Sequence, residues 1–311
     1  MKNTKVIFMG TPDFSVPVFK MLIEETDVVL AVTQPDKPVG RHHELKPTPI
    51  KEVALENNIP IFQPKKIKEE YEKILNTPCD IIITCAYGQI IPEEILNYPK
   101  LGCVNVHASL LPKYRGGAPI HWCLLNGEEK TGVTIMYMDK GMDTGDMISK
   151  KEYVIKKTDN VGILHEELSK IGAELLKETL PSIIAGTNER IKQNNDEATY
   201  AYNITRKEER IDFSRTGLEI QNQIRGLNPW PTANFLVNNE EFKALEATFE
   251  KKENTTPGTV REITKDAIGI DCIDGVIYLT KIKPFGKKIM NVKDYLNGVK
   301  KETILNWVIN E

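Results

Sequence analysis

No run of about 18 apolar residues occurs anywhere in the 311-residue sequence, so no helix is expected to cross a membrane. Cysteine is scarce. The five residues Cys79, Cys85, Cys103, Cys123 and Cys272 are odd in number and show neither Cys-x-x-Cys nor Cys/His metal spacing. That argues against a disulfide framework or a structural zinc site, and reduced cytoplasmic thiols are expected. Net charge is also small, 41 Lys+Arg against 44 Asp+Glu, or −3. This balance excludes a strongly basic nucleic-acid scaffold and an acidic disordered tail, but not a polyanion held by local basic patches. No leader is expected, because Met1–Gly10 runs straight into a β-rich stretch. Two short motifs are missing as well. Gly10-Thr-Pro-Asp-Phe14 is not Gly-x-Gly-x-x-Gly, which disfavours a dinucleotide-dependent oxidoreductase. No Gly-x-Ser-x-Gly elbow occurs, which disfavours a covalent acyl-enzyme.

What is present is a change of period along the chain. At about 150 residues per domain the length suggests two domains. The first 200 residues alternate short β-rich runs (Val6–Met9, Val28–Thr33, Asp80–Cys85, Val104–Val106, Val133–Met138) with helical stretches such as Val16–Ile23 and Pro49–Glu56. That alternation predicts an α/β, doubly wound, mostly parallel sheet. Val161, Leu164, Leu168, Ile171, Leu175 and Ile183 predict one long amphipathic helix ending near Gly186. From about Thr205 short strands and turn signals predominate, among them Asn238-Asn239 and Asp274-Gly275. They predict a small C-terminal β-barrel of the oligonucleotide-binding type. The expected division is a catalytic domain at 1–187, a polar linker at 188–204 and a barrel domain at 205–311. Residues 206–311 hold 17 Lys+Arg and 16 Asp+Glu, so the acidic excess lies in the rest of the chain.

One segment concentrates chemistry. Asn105 and His107 lie two residues apart on a predicted buried strand, and i and i+2 share a face. An amide and an imidazole therefore converge near the strand's carboxyl end, where open α/β sheets bind ligands. Asp139, Asp143 and Asp146 occupy a glycine-broken loop after another strand, within reach of fixing the tautomer of His107. Such a set suits acyl transfer directly from one bound molecule to another: Asn105 and His107 donating to an oxyanion, Asp143 assisting proton transfer. Each residue also has a plainer reading. A strand Asn or His is commonly a satisfied structural group, and the three aspartates also read as turn caps or a weak cation site, without EF-hand spacing.

Asn105-Val-His-Ala-Ser-Leu-Leu-Pro112, with Arg115-Gly-Gly-Ala-Pro119 after it, resembles the signature of the 10-formyltetrahydrofolate-dependent formyltransferases, and Asp143-Thr-Gly-Asp146 resembles their second signature. Further stretches resemble the branch of that family that formylates methionine on initiator tRNA. These are Phe8–Phe14, Gln34–Arg41, Ala86–Pro92, Gly132–Met136, Thr199–Ala201, Lys207–Asp212, Asn228–Pro231 and Lys283–Lys288. The resemblance implies a catalytic trio of Asn105, His107 and Asp143, and no metal. It implies folate contacts from Ser109, Leu110, Leu111 and Pro112, and from backbone at Tyr87, Gly88, Gln89, Ile90 and Ile91. It implies 10-formyltetrahydrofolate as formyl donor and the α-amino group of methionyl initiator tRNA as acceptor. The loop Gln34–Pro49 has four prolines and carries Lys37, Arg41 and Lys46; the resemblance sends it to the tRNA end, with Arg41 central. Lys281, Lys283, Lys287 and Lys288 form a second basic cluster suited to phosphate contacts. A formyltransferase acting on a nucleotide-linked amino sugar would share the trio without needing the basic loop or the C-terminal domain. A non-catalytic RNA-binding module would not need His107. No coiled-coil heptads occur, and a monomer is expected.

Overall fold

A computed structural model describes residues 1–39 and 44–310. The chain divides into two units. The first comprises Met1–Pro119, Lys130–Val154 and His165–Ala201; the second comprises Ile120–Glu129, Ile155–Leu164 and Tyr202–Glu311. Among the described residues no helix is long and apolar enough to cross a membrane.

Among the described residues the first unit contains nine strands: β1 (Lys5–Gly10), β2 (Asp27–Val32), β3 (Lys37–Val39), β4 (Glu44–Lys46), β5 (Ile61–Phe62), β6 (Ile81–Cys85), β7 (Cys103–His107), β8 (Lys130–Tyr137) and β9 (Met147–Val154). Seven of them form one sheet in the order β5-β2-β1-β6-β7-β8-β9. Neighbours from β5 to β7 are parallel, whereas β8 runs antiparallel to β7 and β9 antiparallel to β8. Central strands are apolar without alternation because both of their faces are covered. Val6–Met9 and Ile81–Ile83 accordingly have no exposed surface. Phe8 stacks on Phe19 of helix α1 (Val16–Glu25), with ring centroids 4.8 Å apart. Helix α2 (Pro49–Glu56) starts on a Thr48 cap and carries proline in its first turn, where a missing N–H costs nothing. Short helices α3 (Glu72–Leu75) and α4 (Glu93–Leu96) follow; α5 (Pro119–Leu125) falls, apart from its first residue, in the second unit. Helix α6 spans Val161–Ala185, as its spacing predicts, and stops at Gly186, whose φ of +66° favours glycine. Strands β3 and β4 form a separate two-stranded hairpin.

The polar stretch read as a linker is bound into the first unit over residues 188–201. Ile191 pairs with Met147 through two backbone hydrogen bonds, and Thr199 and Ala201 bond to Arg115.

The second unit holds α7 (Arg206–Glu209), α8 (Gly217–Gly226), β10 (Ala233–Val237), β11 (Glu240–Lys251), β12 (Val260–Ile263), β13 (Ile268–Cys272), β14 (Gly275–Lys283), β15 (Met290–Asn291), α9 (Val292–Leu296) and α10 (Lys301–Leu305). The strands form an antiparallel sheet in the order β10-β11-β14-β13-β12, with β15 on β14. The order runs open from β10 to β12, and no ladder among the described residues joins these ends into a closed barrel. The β10–β11 turn is Asn238-Asn239, with φ of +49° and +67°, the two left-handed positions that a tight hairpin demands. The β13–β14 turn is Ile273-Asp274, and Gly275 already pairs with Cys272. Glycine is needed there for space: a Cβ at Gly275 would lie 2.2 Å from the carbonyl oxygen of Glu250. Phe213, Phe235, Phe242, Tyr295 and Trp307 form much of the core.

Helix α8 opens with a reciprocal capping box between Thr216 and Glu219. Donation from the Thr216 hydroxyl, then from its backbone N–H and from Arg215, holds the Glu219 carboxyl down at about 2. A depressed carboxyl pKa stabilises the folded state above its unfolded value and loses that contribution as pH falls through the folded one. Glu219→Gln is therefore expected to lower Tm near neutral pH and to lower it progressively less as pH falls from about 4.5 to about 2. Calorimetric scans at the two ends of that window check this; an equal loss at both would make the effect one of cap geometry rather than charge.

Candidate active site

Strand β7 brings Asn105 and His107 to its carboxyl end. Asn105 is half-buried, and its Oδ1 accepts from the Thr84 hydroxyl on β6 at 2.8 Å. That bond fixes the amide, so Nδ2 is the group aimed away from Thr84. Nδ2 makes no hydrogen bond among the described residues and keeps both protons to donate. Thr84 is a residue that the motif reading missed; an apolar run around it hides a threonine whose work is done one strand away.

His107 is buried. Its Nε2 lies 3.0 Å from the Tyr114 carbonyl oxygen, which only accepts, so Nε2 carries the proton. Nδ1 faces Asp143 Oδ1 at 3.7 Å. This is close enough for ion pairing with a protonated ring but longer than a hydrogen bond. Both ring nitrogens thus face protein atoms. The three loop aspartates separate by role. Asp139 caps its own loop, accepting from Gly141 N–H and the Thr144 hydroxyl. Asp146 pairs with Arg190 at 3.0 Å. Only Asp143 reaches the imidazole. Its Oδ2 accepts from the Gly116 N–H at 2.8 Å, and its φ of +52° is left-handed, a conformation aspartate tolerates better than most residues. Among the described residues no group of three or more His, Cys, Asp or Glu is placed to hold a metal ion.

The route of this loop was not legible in the pattern. Because β8 is antiparallel, it ends beside the amino end of β7, where Met138 N–H donates to the Cys103 carbonyl. The loop leaves from the far end of β7 and returns to reach His107.

The segments expected to bind folate are less uniform. Ser109 is buried; its hydroxyl donates to the Lys113 carbonyl and its own carbonyl accepts from Thr134. Leu110 and Pro112 are half-buried, and the Leu111-Pro112 peptide is cis. Leu111 is fully buried against Met136 and Met147, its N–H donates to Thr134 and its carbonyl accepts from Lys150. It therefore builds the wall and does not present its side chain. In the second segment Tyr87 is buried in the core, its hydroxyl has no hydrogen-bond partner among the described residues, and burial pushes its pKa up. The Tyr87 carbonyl accepts from Thr11 and Gln34. Gln89 is held to Ile67 N–H, and Ile91 is buried. Gly88, with φ of +86°, and Ile90, 69% exposed, are the parts open to solvent. A separate cavity of about 470 Å³, lined by Leu96, Lys100, Cys103, Tyr137, Asn188 and Arg190 among others, includes none of the expected catalytic or folate residues.

Lys37, Lys46, Lys283, Lys287 and Lys288 are exposed, and Lys281 is half-buried. Lys37 and Lys46 lie directly opposite each other in the β3–β4 hairpin. Arg41 lies outside the described residues. In the second unit, Lys281 pairs with Glu246 and Lys287 sits over the Tyr295 ring at 5.3 Å. Lys283 and Lys288 are exposed, and neither forms an ion pair among the described residues.

The comparisons with known proteins agree with this architecture in two steps. The chain belongs to the formyl transferase family: residues 3–180 match the formyl transferase family model, and residues 203–300 match that of the formyl transferase C-terminal domain. Within that family, it is 51% identical to the methionyl-tRNA formyltransferase of Staphylococcus epidermidis over 304 residues, covering 97% of this chain and 98% of that one. It is 50% identical to the methionyl-tRNA formyltransferase of Staphylococcus aureus over 299 residues, covering 95% and 96%. Among solved structures the fold is similar to WlaRD, a sugar 3N-formyl transferase in the presence of dTDP and 5-N-formyl-THF, with a TM-score of 0.66, 24% identity and coverage of 93% of this chain and 100% of that one. It is also similar to an N-formyltransferase from Helicobacter canadensis in complex with folinic acid and dTDP-3-aminofucose, with a TM-score of 0.67, 24% identity and coverage of 89% and 98%.

Proposed function

We propose that this chain transfers the formyl group of 10-formyltetrahydrofolate to the α-amino group of methionine on initiator tRNA, in the cytoplasm and as a monomer, with residues 1–187 catalytic and 205–311 contacting tRNA. The observation that carries the reading is the 51% identity to a methionyl-tRNA formyltransferase over 97% of the chain. The sugar formyltransferases share the fold at 24% identity, which says nothing of the acceptor.

In this mechanism the methionine amine attacks the formyl carbon. The new C–N bond forms, the bond from that carbon to N10 of the folate breaks, and the proton lost by the amine ends on N10. Negative charge develops on the formyl oxygen in between. Asn105 Nδ2 is the donor for that charge, held in orientation by Thr84. With Nε2 engaged by the Tyr114 carbonyl and Nδ1 turned to Asp143, His107 is placed beside the reacting centre with both ring nitrogens held by protein atoms, and acts on the developing charge through the ring's position more than by a direct hydrogen bond. Asp143, facing the ring at 3.7 Å, receives the amine proton on its way to N10. Gly88 and Ile90 offer exposed backbone and apolar surface to the folate, while Ser109–Pro112 shape the wall beside His107.

Lys37 opposite Lys46, with Arg41 between them in the chain, would meet phosphates; like charges set directly across a hairpin repel unless an anion lies between them. Lys283, Lys287 and Lys288 would make further phosphate contacts. The deciding experiment compares formylation of charged initiator tRNA, charged elongator tRNA and a nucleotide-linked amino sugar. Efficient use of the sugar and not of initiator tRNA would reverse the reading. Replacing Lys283, Lys287 and Lys288 together by alanine is expected to weaken tRNA binding and to flatten its dependence on log salt by about one slope unit per lost contact. An unchanged salt slope would remove this cluster from the tRNA surface.

A further inference from the structure

Arg115 is the largest side chain with almost no exposure, 1%. Its guanidinium bonds only to neutral amide oxygens. Nε and Nη2 donate to Gln193 Oε1 at 3.0 and 2.9 Å, and Nη2 also donates to Asn195 Oδ1 at 2.9 Å. Among the described residues no carboxylate pairs with it. A buried charge satisfied only by neutral groups is costly, and a hydrophobic residue of similar size would fill the space more cheaply. Packing alone does not explain an arginine here.

Its consequence lies on the far side of Gln193. Arginine can only donate, so the Gln193 amide must turn its oxygen towards it. That turns Gln193 Nε2 towards the catalytic loop, where it donates to the Asp143 carbonyl at 2.7 Å and the Gly145 carbonyl at 2.8 Å. The next residue in the chain, Gly116, donates its N–H to the Asp143 carboxylate. Asp143 is thus held at both ends, by its main chain and by its side chain, in its left-handed conformation. The Arg115 backbone is itself tied down, donating to the Thr199 carbonyl at 2.8 Å and accepting from Ala201 N–H at 2.7 Å.

We propose that Arg115 and Gln193 are positioning residues for Asp143: Arg115 sets which way round the Gln193 amide lies, and Gln193 clamps the loop backbone so that the carboxylate faces His107. The proposal rests on the catalytic reading of Asp143 given above.

Gln193→Glu separates clamping from folding. The carboxylate keeps an acceptor for Arg115 and gives the buried guanidinium a counter-charge, but it cannot donate to the two loop carbonyls. The expected result is an unchanged or raised Tm, KM values for folate and tRNA within about threefold, and a kcat lowered by at least about tenfold, since small misplacements of a catalytic group are costly. A second measurement combines this change with Asp143→Ala. Gln193→Glu is expected to cost nothing further in that background, because its only route to the reaction is gone. Wild-type kcat in the single variant, or the same fold loss in both backgrounds, would overturn the proposal while leaving the catalytic reading intact. Wild-type formylation by Asp143→Ala alone would overturn both. Arg115→Met, which leaves the Gln193 amide without its donor, is expected to shift kcat in the same direction as Gln193→Glu; an unchanged kcat in folded Arg115→Met would remove Arg115 from the proposal.

Discussion

Asn105→Ala is expected to lower kcat for formyl transfer about 10²–10³-fold while leaving the folate dissociation constant near its wild-type value, the loss typical of one oxyanion donor. The reason for so large an effect is preorganisation. The Asn105 carbonyl oxygen is already taken by Thr84, so no rearrangement is needed when charge appears on the formyl oxygen. Thr84→Val, which preserves shape and removes the donor, should reproduce part of this loss by letting the amide turn over. Single-turnover formylation, with folate binding followed separately, checks both variants. An Asn105→Ala protein that turned over within a fewfold of wild type would mean that the oxyanion is stabilised elsewhere.

The second large effect concerns His107 and Asp143. His107→Ala is expected to cost about 10²–10³ in kcat, the range for a group that stabilises the oxyanion. Asp143→Asn keeps an oxygen for the Gly116 N–H but removes the carboxylate that faces the imidazole and takes the amine proton, and a comparable loss is expected. The two should not add. If Asp143 acts through His107, the double variant loses little more than the worse single variant, as groups that work as a unit do. A product of the two single losses would show instead that each residue acts on the reaction separately. Melting curves of all three proteins exclude a common folding defect.

Much of the first unit was legible from residues alone. Ile81–Cys85 reads as a covered strand because it is apolar without alternation, and it proved wholly buried. The helix at Val161–Ala185 follows from six apolar positions at helical spacing. Asn105 and His107 were legible because a period of two places them on one face. Other features leave no periodic trace. The direction of β8 is one: its residues are buried on both faces, and a strand so covered looks alike whichever way it runs. Strand β9 opens on two buried residues and alternates burial only from Ser149 onward, and was not anticipated. Gln193 was hidden for another reason. Its surroundings are polar and read as a linker, yet a side-chain amide that bonds to two backbone carbonyls can organise a loop without any apolar pattern. In the second unit, five of the six described strands leave β-like runs in the sequence; the two-residue β15 and the closure do not. Closure depends on which ends pair, and the pairing runs open from β10 to β12.

The return of the loop after β8 makes its contour length a chemical quantity. Asp143 is reached by a fixed number of residues from the point where Met138 leaves the sheet beside Cys103. One residue of extended chain spans about 3.3–3.6 Å, nearly the whole 3.7 Å that separates the carboxylate from the imidazole. Deleting or inserting a single residue between Met138 and Asp143 would therefore displace the charge by as much as its working distance. The spacing along this excursion is as much a part of the site as the side chains it delivers.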